Sequence, residues 1–403
     1  MVFGVETCMF DSHSSSSDTK VAVTATTIKD AMPYIFCNYN GVEARQKESG
    51  YQHVRPVSTK DEPCVWEVGR ATSAAPMLFR PIRIPGIGTF QDGGLKHNNP
   101  TDLGLWESRI IWPMLQRPDA VVSLGTGMAP DPSTPTAPNF RHVIFDGFIP
   151  RLWRSFMSSL DGQNTWRDLW NRLDSNSKQD YFRLNVKLNG ERPAMDDVSR
   201  MEELRELVQS QDSSESRYEQ TAFALLVSTF FFELNSMPLF YGGLYYCRGN
   251  IRCRLPGKTL CEALQRMNES RLVFMTDDEI VGHFLAYKDL CVKCKRYDKD
   301  VDFTVRHPGD AISIYLQSPT RGKRRLSAFP QSIDWFIRQQ HLEVRFARVG
   351  RDRIPSCADC RASKRSIFHS AMPKRKMTEH HTESSGRRKR QRTKAAPSPW
   401  DQS

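Results

Sequence analysis

The chain has 403 residues, of which 39% are hydrophobic and 10% aromatic, so it can bury a core and is not a wholly disordered protein. A membrane-spanning helix is excluded, because no run of about 18 apolar residues occurs. The longest candidate, Phe223 to Leu234, is interrupted by Ser228 and Thr229. The segment Met1 to Glu6 has neither the basic start nor the apolar stretch of a signal peptide. We therefore expect an intracellular protein, in the cytoplasm or at the periphery of a membrane.

The net charge of +11 is concentrated near the end of the chain. Two basic runs, Lys374 to Lys376 and Arg387 to Lys394, lie in a segment rich in Ser, Thr, Pro and His. This composition predicts a disordered basic tail, which we assign to residues 347–403. Its form fits a bipartite nuclear-localisation signal, so a nuclear import receptor is a candidate partner of Arg387 to Lys394 and the nucleus an alternative location. A solubilising tail fits equally well, and the charge is not spread over a folded face, so we predict no nucleic-acid partner.

Ten cysteines are scattered along the chain, and without a secretory signal they are most simply reduced thiols. Two Cys-x-x-Cys pairs, Cys291 with Cys294 and Cys357 with Cys360, invite a zinc interpretation. They are much further apart than the spacing of about 15 to 20 residues that is usual between paired zinc ligands. The sequence therefore predicts no metal site and no cofactor.

Residues 1–210 are predicted to form the first domain, in which strand-like and helix-like segments alternate. Lys20 to Thr27 is a short β-branched run, typical of a strand buried on both faces of a parallel sheet. The strand, loop, helix and strand between Phe90 and Gly127 argue for a βαβ unit and a parallel α/β sheet. Further predicted elements are a helix from Pro63 to Ala75, a helix from Pro100 to Pro113, a strand at Asp119 to Gly127, a strand at Tyr181 to Val186 and a helix at Asp196 to Gln209.

Phe145 to Leu173 has aromatic and apolar residues at roughly helical spacing, with arginines among them. Such a segment could lie on a membrane surface. A pair of helices packed on the sheet is the favoured interpretation, because apolar stripes usually mark contact with the core.

Residues 211–346 are predicted to form a second, small β-rich or α+β module. A helix is predicted from about Tyr218 to Leu234, followed by short β-rich runs with turn signals between them. These runs are Phe240 to Cys247, Asn250 to Leu255, Asp302 to Val305 and Ile312 to Leu316, and a helix around Trp335 follows.

The stretch Phe90-Gln91-Asp92-Gly93-Gly94-Leu95 presents one carboxylate on a glycine loop, between a Pro/Gly-rich approach and a helix start at Asn98-Asn99-Pro100. A carboxylate fixed in this way can orient or deprotonate a nucleophile, and the glycines let a substrate or a neighbouring backbone approach closely. Asp-Gly is also an ordinary turn, so the motif alone is a weak signal of catalysis.

Four segments, in this order and spacing, resemble the C-terminal half of a patatin-like phospholipase domain: Ala71 to Pro76, Phe90 to Leu95, Asn98 to Pro100 and Val121 to Gly127. The resemblance covers roughly residues 1–190, and Phe240 to about Leu342 looks like the extension carried by fungal members. It implies a three-layer α/β/α fold and hydrolysis of phospholipid or other acyl esters at a membrane surface by a Ser/Asp dyad. By this resemblance Asp92 is the dyad aspartate, in a motif loop with Gly93 and Gly94.

The departure from the family pattern concerns the nucleophile. The 403 residues contain no G-x-S-x-G elbow and no three-glycine run for an oxyanion hole, and acyl transfer needs both. Ser73 and Ser123 are the nearest serines, but neither is predicted on an elbow turn. We expect a truncated product, or a remnant that depends on a partner, which keeps the catalytic aspartate and is inactive alone. The alternatives are a non-catalytic lipid- or protein-binding regulatory module and a nuclear factor in which the basic tail matters.

Overall fold

The computed structural model of the chain describes residues 6–10, 19–40, 50–56, 58–76, 78–128, 162–190, 193, 197–211, 216–269, 271–284 and 288–343. The chain divides into two units, residues 1–356 and 357–403, and every described residue lies in the first. The predicted basic tail therefore lies outside the described residues, as do Cys357 and Cys360.

Five strands form the first sheet, in the order β3-β2-β1-β5-β4: β1 (Ala22–Thr27), β2 (Pro33–Cys37), β3 (Gln52–His53), β4 (Ile82–Ile84) and β5 (Gly88–Asp92). The predicted strand at Lys20 to Thr27 is confirmed, but its predicted parallel setting is wrong, since β1 is antiparallel to both β2 and β5. The reason is local. A short turn at 28–32 returns the chain at once as a hairpin, whereas a parallel partner needs a long crossover.

Three helices belong to this part of the chain: α1 (Val65–Thr72), α2 (Gly94–His97) and α3 (Thr101–Ile111). The helix predicted after Pro63 is α1, and its close packing is confirmed, because Ala71 and Ala74 have no exposed surface. The helix predicted before Pro113 is α3, with Pro100 as its N-cap residue. The first core cluster contains residues from α1, β1, β2, β4 and β5 and from two flanking segments: Met9, Ala25, Phe36, Val54, Val68, Ala71, Ile84 and Phe90.

A parallel pair of strands is formed by β6 (Val121–Leu124) and β7 (Tyr181–Leu184). Helix α4 (Gly162–Arg172) lies between them in sequence, so the α/β class and the parallel pairing are confirmed. The predicted βαβ unit joined the Asp92 strand to β6. In the described residues β6 pairs with β7 instead.

Helix α4 buries Trp166 and Leu169 and exposes Arg167. This burial favours the interpretation of its apolar stripe as core contact. The preceding part of that predicted pair, residues 145–161, lies outside the described residues. Two further helices follow, α5 (Ser175–Lys178) and α6 (Met201–Gln211), and α6 matches the predicted charged helix.

The second part begins with a correction. The helix predicted from Tyr218 to Leu234 ends early: α7 spans Ser216–Val227, and Phe230–Leu234 forms strand β8. Three consecutive phenylalanines favour a strand. All five residues of β8 are buried, because both faces of the strand are covered.

The remaining elements are mostly antiparallel strands. The run predicted at Ile312 to Leu316 is split between two of them. The strands are β9 (Leu239–Tyr241), β10 (Leu244–Cys253), β11 (Val273–Met275), β12 (Ile280–His283), β13 (Asp298–Val305), β14 (Ala311–Ile312), β15 (Tyr315–Ser318), β16 (Gly322–Arg325) and β17 (Gln331–Ser332), and the helices are α8 (Gly257–Arg266) and α9 (Ile333–Gln340).

Two four-stranded sheets organise this second part: β13-β10-β8, with β9 also paired to β10, and β12-β11-β15-β16. One large apolar cluster connects them, and it includes Phe223, Phe230, Tyr297, Leu316 and Phe336. The division at residue 210 stays a prediction. Within the described ranges, no helix is long and apolar enough to cross a membrane.

Candidate active site

Asp92 is the last residue of β5, directly opposite Ala25 of β1. The end of α1 holds the backbone at this point. The amide of Asp92 donates to the carbonyl oxygen of Ala74 at 3.0 Å, and the amide of Gly93 donates to that of Thr72 at 3.3 Å. The motif loop is therefore tied to a strand on one side and to a helix C-terminus on the other.

The Asp92 carboxylate folds back on its own loop. Its Oδ1 accepts a hydrogen bond of 2.6 Å from the backbone amide of Gly94. Burial raises the pKa of this carboxyl group, and the Gly94 amide opposes that shift by stabilising the ionised form. A carboxylate with a raised pKa is a stronger base, which is the property that a proton-accepting group needs.

The two glycines are required by close approach. Gly93 has the ordinary right-handed backbone, with φ of −68°, but a Cβ atom there would lie 2.2 Å from the carbonyl oxygen of Thr24. A Cβ atom at Gly94 would lie 2.9 Å from Oδ1 of Asp92 itself. The expectation that a glycine of this loop admits a neighbouring backbone therefore holds for Gly93, whose neighbour is β1.

His97 ends the short helix α2 that follows the loop. Its backbone amide donates to the carbonyl of Gly93 at 2.9 Å, and its Nε2 is buried with no hydrogen-bond partner among the described residues. Burial, and then the nearby Lys96 ammonium, lower the pKa of the imidazole. His97 was not among the predicted site residues, and the available signal was a histidine four residues after Gly93.

Ser73 and Ser123 both have their hydroxyl groups engaged elsewhere. The Ser73 hydroxyl donates to the carbonyl of Gly69 at 2.9 Å, within its own helix end. Ser123 is buried in β6, where its hydroxyl donates to Oδ1 of Asn99 at 3.2 Å. Within the described residues, neither hydroxyl makes a hydrogen bond to Asp92.

Ser123 belongs to a buried polar network that sequence reasoning missed. Arg183 donates to its hydroxyl at 2.8 Å and to the carbonyl of Leu124 at 3.1 Å. Asn99 donates to the carbonyl of Gly162 at 2.8 Å. Asn99 lies two residues after α2, the short helix that follows Asp92, so the network connects this helix end to β6, β7 and the start of α4. An arginine within the apolar run of β7 was the available signal.

A groove of about 460 Å³ lies beside the motif loop, between β1 and α3. Thr24 and Thr72, which contact Gly93, also line it, together with Leu103 and Trp112. Glu107 lines the groove as well and is buried, and both Tyr39 (at 2.9 Å) and Tyr51 donate hydroxyl hydrogen bonds to its carboxylate.

In the part of the chain that the structure describes, no group of three or more His, Cys, Asp or Glu side chains is arranged to hold a metal ion. Cys291 and Cys294 belong to this part. The second Cys-x-x-Cys pair, Cys357 with Cys360, does not.

Comparison with known protein families indicates the class of this α/β domain, which carries the Asp92 carboxylate at the end of a strand. The family model "Patatin-like phospholipase" matches residues 6–105, which include β1 to β5, α1 and Asp92. This region is therefore similar to a patatin-like phospholipase domain. The resembling segment at Val121 to Gly127 lies beyond the matched residues.

Curated relatives agree with this assignment. The chain is 32% identical over 138 residues to the mouse 85/88 kDa calcium-independent phospholipase A2, covering 30% of this chain and 16% of that protein. It is 46% identical over 63 residues to mouse calcium-independent phospholipase A2-gamma, covering 16% of this chain and 8% of the relative. Phospholipase A I of Arabidopsis thaliana is 29% identical over 104 residues, 25% of this chain and 8% of the relative. The chain thus spans less than a fifth of the length of these relatives.

Proposed function

We propose that the chain carries the aspartate half of a lipid acyl hydrolase site, with Asp92 as the proton acceptor of a Ser/Asp dyad. The family-model match at residues 6–105 and the phospholipase names of the relatives support lipid acyl esters as the substrate class. The observation that carries the role of Asp92 is its environment. Backbone contacts from α1 hold the loop, and burial raises the pKa of the carboxyl group.

In such a dyad the serine hydroxyl attacks the acyl carbonyl carbon while the aspartate accepts the hydroxyl proton. The chain contains no G-x-S-x-G motif. We propose that the chain by itself therefore does not turn over esters, because the base without the nucleophile lacks the covalent step. Donors for the oxyanion would contribute further orders of magnitude in rate.

The test is covalent labelling of the full chain with a fluorophosphonate, which reacts with activated serines, together with turnover of a short-chain ester. The expected results are no labelling and no turnover above buffer. Labelling that disappears in Asp92→Asn but persists in the exposed control Asp61→Asn would overturn the proposed inactivity and support the role of Asp92. Equal labelling in all three proteins would remove Asp92 from any catalytic role.

A DNA-level experiment addresses the missing serine. If the genomic sequence upstream of the Met1 codon encodes an in-frame G-x-S-x-G, the extended protein can be produced and assayed. The expected result is ester turnover that Asp92→Asn lowers by about two orders of magnitude or more, while Asp61→Asn leaves it unchanged. Unchanged turnover in Asp92→Asn would contradict the assignment.

One observation favours a second candidate, a lipid-binding module. The hairpin of β9 and β10 exposes Leu239, Phe240 and Tyr241, at 73%, 63% and 76% of their surface. Adjacent exposed aromatic and apolar side chains mark interaction sites, and tyrosine suits the boundary between lipid and water. If the hairpin enters a lipid surface, Phe240→Ser should lower binding to phosphatidylcholine vesicles. Val292→Ser, which alters a residue 82% exposed outside the hairpin, should not. Equal binding of both variants and of the parent chain would exclude this role.

A further inference from the structure

Cys8 and Cys64 lie directly opposite each other in an isolated antiparallel bridge. Two backbone hydrogen bonds flank the pair: the amide of Val65 donates to the carbonyl of Thr7, and the amide of Met9 donates to that of Pro63, both at 2.8 Å. The two cysteines themselves exchange no backbone hydrogen bond. They therefore occupy a non-hydrogen-bonded position, the narrow position of an antiparallel ladder.

At such a position the two Cα atoms are about 4.5 Å apart and the side chains project to the same side. This separation falls at the short end of the range of about 4.4 to 6.8 Å that a disulfide bond spans. Both sulfur atoms can then meet without a movement of either backbone. In the described residues both cysteines are free thiols.

Both segments that hold the pair are anchored. Met9, next to Cys8, is buried in the first core cluster with Val68 and Ala71 of α1. Cys64 is the N-cap residue of α1, and its amide donates to the carboxylate of Glu67 at 2.8 Å. The two thiols are therefore presented to each other by well-packed backbone on both sides.

The two thiols are also accessible to a soluble oxidant. Cys8 and Cys64 are both partly exposed, whereas Cys37, Cys247 and Cys253 are buried. Burial, followed by the Glu67 carboxylate and by Cys8, raises the pKa of the Cys64 thiol. Cys8 contributes to that shift, as expected for a thiol on the facing strand position.

We propose that Cys8 and Cys64 are a reversible thiol-oxidation site, which closes to an intramolecular disulfide when a small disulfide such as oxidised glutathione is present. One protein thiolate attacks a sulfur atom of the oxidant and releases one glutathione thiolate. The second protein thiolate then attacks the mixed disulfide and releases the other. Two protein thiols are oxidised, one glutathione disulfide is reduced to two glutathione molecules, and the two thiol protons pass to the leaving thiolates.

The bond would join the segment around Met9 to the first turn of α1. Thr72, the last residue of the same helix, and Ala74, two residues beyond it, supply the carbonyl groups that hold the motif loop. Oxidation would thus fix the far end of the helix that supports Asp92. The site does not depend on the proposed function, because it follows from the backbone pairing alone.

The experiment uses the reduced full chain, equilibrated with mixtures of reduced and oxidised glutathione. Remaining thiols are then blocked rapidly with excess N-ethylmaleimide before digestion. Trypsin places Cys8 in the peptide Met1 to Lys20 and Cys64 in the peptide Asp61 to Arg70, and each peptide contains a single cysteine. The expected product is a linked pair of these two peptides, which dithiothreitol separates.

Single substitutions sharpen the test. Cys8→Ser and Cys64→Ser should each abolish the linked pair and leave a glutathione adduct on the remaining cysteine. The control Cys261→Ser should keep the linked pair, since Cys261 is also partly exposed but lies in α8. Oxidation should shift the unfolding midpoint of the parent chain to higher denaturant, with no such shift in Cys8→Ser. Recovery of both peptides unlinked, with glutathione on one or both cysteines, would overturn the proposal, as would a link from either cysteine to a different partner.

Discussion

Replacement of Gly93 by alanine tests whether the motif loop is built on a close approach to β1. The Cβ atom that this replacement adds would lie 2.2 Å from the carbonyl oxygen of Thr24 and 2.4 Å from its hydroxyl oxygen. The first distance is more than about 1 Å inside ordinary van der Waals contact. Rotation of the Thr24 side chain could relieve the second contact but not the first, because the carbonyl belongs to the backbone.

The backbone of β1 has little freedom to move away. Thr24 pairs with Ile35 of β2, and the next residue, Ala25, pairs with Asp92 of β5, so β1 is hydrogen-bonded on both sides. Excess volume in a packed site typically costs about 1 to 3 kcal/mol. Because a central strand must shift, we expect a loss of about 3 kcal/mol in the free energy of unfolding. This is a large fraction of the roughly 5 to 15 kcal/mol that stabilises a typical domain.

Denaturant-induced unfolding, followed by tryptophan fluorescence and by circular dichroism, measures this loss. Gly104→Ala is the matched control, because Gly104 lies in α3 and a Cβ atom there has no neighbour within 4 Å. Alanine is the better helix former, so this control should gain up to about 1 kcal/mol. Equal stability of Gly93→Ala and the parent chain would refute the argument that Thr24 requires a glycine at position 93.

Three other substitutions test the site and its surroundings. Asp92→Asn should be at least as stable as the parent chain at neutral pH. Because the pKa of the Asp92 carboxyl group is raised in the folded state, the parent loses stability as the pH rises from the unfolded-state pKa near 3.8 through the folded-state pKa. The variant does not titrate at this position, so its free energy of unfolding should rise relative to that of the parent across this pH range. Tyr51→Phe removes one of the hydroxyl donors to buried Glu107, so thermal or denaturant unfolding should reveal a loss of about 1 to 3 kcal/mol. Arg325→Met breaks the buried ion pair with Asp180, 2.9 Å long, but leaves Arg324 at 3.9 Å from the same carboxylate. It should therefore cost less than the about 3 to 5 kcal/mol of a buried charge without a partner, by the same measurement. A pH-independent difference for Asp92→Asn, or full stability of either other variant, would contradict these expectations.

Local sequence signals predicted the elements around the motif loop well. Helix α1 begins two residues after Pro63, and α3 ends two residues before Pro113. Pro113 ends a helix because proline cannot continue the helical hydrogen-bond pattern. The direction of the strands was harder to predict. A β-branched composition fits a buried strand of either orientation. The short turn at 28–32 makes β1 antiparallel to β2, and composition alone does not predict this.

The error at Tyr218 to Leu234 has a similar origin. Phe230 to Leu234 continues the apolar character of α7, so periodicity alone did not separate helix from strand. Tertiary pairing decided the outcome, because β10 lies against these residues on one side of its sheet. Ser228 and Thr229, the two polar residues that interrupt the apolar run, lie between α7 and β8 and mark where the helix ends.

For the candidate site, the sequence located the loop but not its support. Asp92, Gly93 and Gly94 stood out because an acid and two glycines are a recognisable combination. The partners of this loop, Thr24 and Thr72, are ordinary residues far away in the chain. Contacts of this kind arise from packing between distant segments, so no local sequence motif predicts them.

The contacts around Asp92 show how the loop accommodates a charged side chain. A half-buried carboxylate destabilises a fold unless its desolvation is compensated, and here one backbone amide, that of Gly94, supplies the compensation among the described residues. A Cβ atom at Gly94 would approach the same carboxylate oxygen to 2.9 Å, so a larger residue there would press on the side chain whose charge its amide stabilises. Simple structural stability would be served as well by an uncharged side chain at position 92. The presence of an acid at this position, in a loop that tolerates it, supports the proposal that Asp92 accepts a proton.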